Sequence, residues 1–103
     1  HAAAGEGTQP IAARVAAAFA VQLARQGKSN QRLNNMEIEQ HCQLEQHGAR
    51  LLHGAMLRLH WSARAYHRVL RVARSIADLA DSRTITHPHI AEAIQYRRVL
   101  QES

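Results

Sequence analysis

Three arginines, Arg64, Arg68 and Arg71, recur at spacings of four and three in an otherwise largely apolar segment. A guanidinium is a planar fork of donors that suits phosphate and carboxylate oxygens. Arg64 stands two residues after Ser62, whose hydroxyl makes a good N-cap. That puts Arg64 in a first helical turn, where free backbone N–H groups and the helix dipole already favour an anion. The simpler reading of the stripe as a whole is a solvated helix face. Position in the first turn singles out Arg64.

Other chemistry is sparse. The chain has no G-x-x-x-x-G-K-S/T loop to cradle a triphosphate and no Gly-rich dinucleotide turn. It has no H-E-x-x-H and no C-x-x-C spacing. The single cysteine, Cys42, sits four residues from Ile38 on one apolar face, so it reads as a small buried hydrophobe rather than a nucleophile. Eight histidines include His87 and His89, two apart, and His53, His60 and His67, seven apart. Without a partner cysteine or an acidic ligand at short recurring spacing they read as surface and boundary residues, and no metal is expected.

The elements that must hold these residues are helical. Helix one is predicted to start near Thr8-Gln9-Pro10, with Ile11, Val15, Ala18, Phe19 and Leu23 as its inward stripe and Gly27 as its stop. Asn34 and Glu37 have capping-box spacing and open a short helix two. A break is expected near Leu44-Glu45. Helix three then runs to about His60 with Ala49, Leu52, Ala55, Met56 and Leu59 inward. Ser62 opens helix four, which turns Tyr66, Val69, Leu70, Ala73, Ile76, Ala77 and Ala80 inward at about 100° per residue. Arg64, Arg68 and Arg71 fall on the opposite face, and Arg74 can pair with Asp78 at i+4. Thr86 caps helix five, which carries Pro88 in its first turn and Arg97 and Arg98 near its end. Five helices with short loops predict an all-α bundle over residues 9–103. Residues 1–8 read as a flexible lead-in or tag remnant on a piece of a longer protein.

Composition agrees. Hydrophobic residues are 46% of the 103, many of them alanine, and aromatics only 4%. That balance suits close-packed helices better than sheets. Thirteen Lys and Arg against eight Asp and Glu, a net charge of +5, favour an anionic partner without choosing one. One cysteine excludes an internal disulfide and fits a cytoplasmic protein. No apolar run approaches the roughly 20 residues that cross a bilayer, so no membrane partner is expected.

The segment Trp61-Ser62-Ala63-Arg64-Ala65-Tyr66-His67-Arg68, continuing to Leu79, resembles the C-terminal helical domain of magnesium-chelatase-like AAA+ ATPases of the ComM competence type. So do His89 to Arg97, Arg14 to Ala18, Gln22 to Gly27 and Asn35 to Leu44. The resemblance covers roughly residues 10–98. It implies a lid domain beside the nucleotide of a hexameric ATPase that acts on DNA in branch migration. The lid is no enzyme by itself and holds no cofactor when isolated, while ATP and Mg²⁺ belong to the full-length protein. The family's Ser-x-Arg motif falls on Ser62-Ala63-Arg64, which implies that Arg64 is the sensor-2 arginine reaching the γ-phosphate. Ser62, Arg64 and Arg68 would line the nucleotide. The partners implied are the protein's own AAA+ core domain, the neighbouring subunits and DNA, with Arg71, Arg97 and Arg98 at the DNA or subunit contact.

Two departures stand out. Phe19 replaces a family arginine, and His60-Trp61 replaces a Gly-Leu pair before the motif, which is expected to stiffen the turn that presents Arg64. Two other classes of function compete. In one, Arg64, Arg68, Arg71, Arg97 and Arg98 make a basic DNA-binding module whose affinity falls steeply with salt. In the other, the bundle serves protein interaction, which would require exposed apolar residues outside the helical stripes. Trp61 is the main one expected.

Overall fold

The computed structural model describes the backbone of residues 2–102 and the side chains of residues 11–98. Five helices follow in order: α1 Ala2–Gln26, α2 Asn35–His41, α3 Gln46–Arg58, α4 Ala63–Leu79 and α5 His87–Glu102. A short 3₁₀ turn, Asn30–Arg32, joins α1 to α2. The backbone of α1 already begins at Ala2, ahead of the start predicted near Thr8. Three successive alanines there favour a helix. The side chains of the lead-in expected over 1–8 lie outside the described residues.

Side chains set the helix boundaries. Asn34 Oδ1 accepts from Glu37 N and Glu37 Oε1 accepts from Asn34 N, each at 2.9 Å, which completes the predicted capping box. Lys28 Nζ sits 2.9 Å from Glu37 Oε2. The hydrogen bond to Asn34 and the Lys28 ammonium together hold the Glu37 carboxyl below its usual range. Glu45 caps α3 by accepting from Gly48 N at 3.1 Å, and the same Oε1 accepts from His87 N at 3.2 Å. One carboxylate therefore serves the starts of α3 and α5, where the dipoles favour a negative charge. Thr86 opens α5 through His89, whose Nδ1 accepts from Thr86 N at 3.0 Å. Gly27 ends α1 with φ 78°, a left-handed conformation that glycine adopts without penalty.

The core gathers around α4. Val69, Leu70, Ala73 and Ala77 pack with Ile38, Leu52, Ala55, Ile85 and Ile90, all nearly inaccessible. Cys42 is buried among them, and desolvation pushes its thiol up to about 11. α3 and α5 come close at Gly48, where an added Cβ would lie 3.4 Å from Ile90 Cγ1. The inward sets of α3 and α4 agree with the predicted phase, except that Leu59 and Ala80, each just past a helix end, are exposed.

α1 departs from expectation. Of its predicted inward stripe only Ala18 is buried; Ile11, Val15, Phe19 and Leu23 are 44–57% exposed. Arg14 and Arg25 instead bond to Leu79 and Asp78 of α4, Gln22 is buried against Asn30 of the 3₁₀ turn, and Ala18 is buried. Apolar periodicity predicts which face avoids water, but it cannot say whether a partner for that face lies within the same domain. Trp61, expected to be exposed, is instead buried at 7%.

Candidate anion site at the start of helix four

Ser62 adopts φ −73°, ψ 165°, and its Oγ accepts from Ala65 N at 3.1 Å. The hydroxyl is thus committed to the cap. The N–H groups of Ala63 and Arg64 precede the first intrahelical bond, from Tyr66 N to Ser62 O at 3.0 Å, so they have no helical carbonyl to bond. Arg64 is exposed, and among the described residues no ion pair engages it. Arg64 therefore shares its first turn with two backbone N–H groups that have no helical acceptor, at the positive end of a 17-residue helix. Such an arrangement suits an oxyanion held by another body.

The turn before it is unusual. His60 has φ 54°, the left-handed region in which a Cβ crowds the following carbonyl oxygen. Trp61 then anchors the turn in the core, and the Arg97 guanidinium lies 5.5 Å from its ring centroid. This cation–π contact ties α5 to the approach of Arg64. Arg97 is thus half-buried against Trp61. We expect His60→Gly to raise stability by about 0.5–1 kcal/mol by relieving the left-handed Cβ. Thermal melts of the two proteins check this, and an unchanged or lower Tm would count against strain at His60.

Structure divides the arginine stripe. Arg68 and Arg71 line a groove between α4 and α5 whose floor includes Val72, Ile76, Leu79 and the half-exposed Tyr96. Neither Ser62 nor Arg64 borders that groove. Of the expected nucleotide set, Ser62 and Arg64 share a turn, while Arg68 stands one turn on and faces the groove. Arg98 is exposed on α5.

Arg74 has a different role. It is buried and pairs with Asp78 at 3.0 Å, as the i+4 spacing predicts. Asp78 also receives both terminal nitrogens of Arg25, each at 3.0 Å, and Asn30 Nδ2 at 3.0 Å. Arg74 donates onward to the carbonyls of Ser82 at 2.8 Å and Arg83 at 3.1 Å. Asn30 N donates to Gln22 Oε1 at 3.0 Å. This network clamps α1, the 3₁₀ turn and the α4–α5 loop onto one carboxylate. Sequence reasoning found only the Arg74–Asp78 pair. Arg25 and Asn30 lie 53 and 48 residues from Asp78, with no local spacing to reveal them.

The histidines do not assemble. Among the described residues no three His, Cys, Asp or Glu side chains converge as metal ligands. His53 stacks on Tyr66 with centroids 5.9 Å apart, its Nε2 3.3 Å from the phenol oxygen. No helix is long and apolar enough to cross a membrane among the residues described.

The sequence of this five-helix bundle matches the family described as magnesium chelatase, subunit ChlI C-terminal, over residues 5–97. The chain belongs to that family. It is 41% identical over 97 residues to competence protein ComM of Haemophilus influenzae, covering 94% of this chain and 19% of that protein. It is 43% identical over 95 residues to the uncharacterized protein YifB of Escherichia coli, covering 92% of this chain and 19% of that one. With YifB of Salmonella typhimurium it shares 40% over 99 residues, 96% of this chain and 20% of the relative. The chain therefore spans about a fifth of the length of these curated relatives. No solved structure matches it.

Proposed function

We propose that this chain is the lid of a longer magnesium-chelatase-like ATPase, in which Arg64 acts as the sensor-2 arginine toward the γ-phosphate of bound ATP. One observation carries the reading. Arg64 is exposed and unpaired beside the free first-turn N–H groups of α4, while Arg74 on the same helix is consumed by internal bonds. In the parent hexamer a core domain would hold ATP and Mg²⁺, and the lid would lean Arg64 onto the nucleotide from its own or a neighbouring subunit. Charge developing on the transferred phosphoryl oxygens would then meet a guanidinium and two backbone donors. Loss of the γ-phosphate would release that contact and let the lid turn as a rigid body. The isolated chain would be catalytically silent. One relative is named a competence protein, and the same proposal places the parent in the cytoplasm, acting on DNA.

The test is Arg64→Ala in the full-length protein. ATP turnover should fall about tenfold or more, equivalent to at least about 1.4 kcal/mol of transition-state stabilisation. The isolated domain should keep its melting temperature, because Arg64 is exposed. Unchanged turnover would overturn the sensor assignment.

A second reading, direct DNA contact, is favoured by the groove that sets Arg68 and Arg71 beside the exposed ring of Tyr96. Cations with an aromatic platform suit single-stranded nucleic acid. A salt titration of the isolated domain with single-stranded DNA decides it. Binding that weakens steeply with salt and is lost in Arg68→Ala/Arg71→Ala supports contact, and no binding at low salt rejects it.

A further inference from the structure

Helix α1 is inside out. Between Ile11 and Ala24 its only polar residues are Arg14 and Gln22. Both turn inward: Arg14 donates to Leu79 O of α4 at 3.3 Å, and Gln22, 8% exposed, accepts from Asn30 N of the 3₁₀ turn. Apart from Arg14, which stays exposed beside its bond to Leu79 O, everything the segment shows to solvent is apolar. Val15, Phe19 and Leu23 flank the α4 contact on one side and Val21 flanks it on the other. The back is a strip of alanines, Ala13, Ala17, Ala20 and Ala24, all exposed. A helix that is apolar all round belongs in an interior, and alanines let a neighbour approach closely.

We infer that this arc of α1 is the seam on which the domain docks against the part of its parent polypeptide that precedes it, an inference that rests on the lid reading above. Two observations choose this occupant. The chain matches a C-terminal family and only about a fifth of each relative, so the missing mass lies ahead of α1, at the end of the domain where α1 stands. The apolar surface also wraps both flanks and the back of α1. A second copy packed helix to helix across a two-fold axis would cover one side, whereas a multi-element body can cover them all. The arc carries no charge to specify a charged or nucleic-acid partner.

The experiment compares amide exchange in this 103-residue chain and in the full-length polypeptide. The α1 amides of residues 11–24 should exchange at least about tenfold more slowly in the longer protein. Val15→Lys/Phe19→Lys should abolish that difference and let limited proteolysis release the domain. In the 103-residue chain the same pair should leave Tm within about 4 °C, as surface changes do. Equal exchange in the two proteins would overturn the docking. So would protection that vanishes when the full-length protein is diluted to monomers, because the cover would then be another copy. If Arg64→Ala cuts ATP turnover while α1 exchange is unchanged, the docking fails and the lid reading stands. Intact α1 protection with unchanged Arg64→Ala turnover gives the reverse.

Discussion

Asp78→Ala should destabilise the domain by about 3–5 kcal/mol, because it strands two guanidiniums that share one carboxylate. The Asp78 side chain is 1% exposed and that of Arg74 is 3%. Neither Arg74 nor the carbonyls it bonds can rearrange into water without opening the α4–α5 loop. For a domain of this size each kcal/mol moves Tm by roughly 4–8 °C, so the melt should fall by more than about 12 °C. Arg25 is the milder partner to remove, since its side chain is 23% exposed and can rejoin solvent. A fall in Tm of only a few degrees for Asp78→Ala would mean that the network adds little beyond packing.

Asp78 also sets a pH dependence. Burial alone would raise its carboxyl, but hydrogen bonds from Arg25 and Asn30 and the charges of Arg74 and Arg25 outweigh it and hold the pKa below the ordinary value. The folded state therefore binds this proton more weakly than the unfolded chain does. Its contribution is fully present above the unfolded pKa of about 4 and is lost as pH falls through the lower folded value. Denaturant midpoints measured from pH 6 downward should drop on the acid side. Asp78→Asn should flatten that acid limb while lowering the plateau.

Leu70→Ala is the second large expected effect, a loss of about 2–5 kcal/mol. Leu70 is 3% exposed at the centre of α4, enclosed by the cluster that includes Leu52, Ile85 and Ile90. The removed atoms leave a cavity that the flanking alanines, Ala73 and Ala77, cannot fill. Urea unfolding should show a lower midpoint with an unchanged slope. A midpoint that hardly moves would contradict the helical phase of α4.

These two residues mark different kinds of legibility. Leu70 was readable because a long helix with a sharp division between apolar and basic faces dictates its own buried side. The caps at Asn34 and Ser62 were readable for the same reason: each depends on residues within four positions of one another. The exposed first-turn setting of Arg64 follows from such local rules, so the sequence by itself determined the all-α class, most helix boundaries and that setting.

Tertiary structure decided the rest. Only the crossing of α1 over α4 brings Arg25 and Asn30 to Asp78, and only the docking of α5 lays Arg97 on Trp61. Only the packing of α5 on α4 gives Arg68 and Arg71 a groove and leaves Arg64 outside it. The apolar stripe of α1 makes the distinction sharpest. Its periodicity records that the face is kept from water, but which body excludes the water depends on contacts between distant segments. Local spacing carries no information about such contacts, and here they place Arg14 against α4 and Gln22 against the 3₁₀ turn and turn Val15, Phe19 and Leu23 outward.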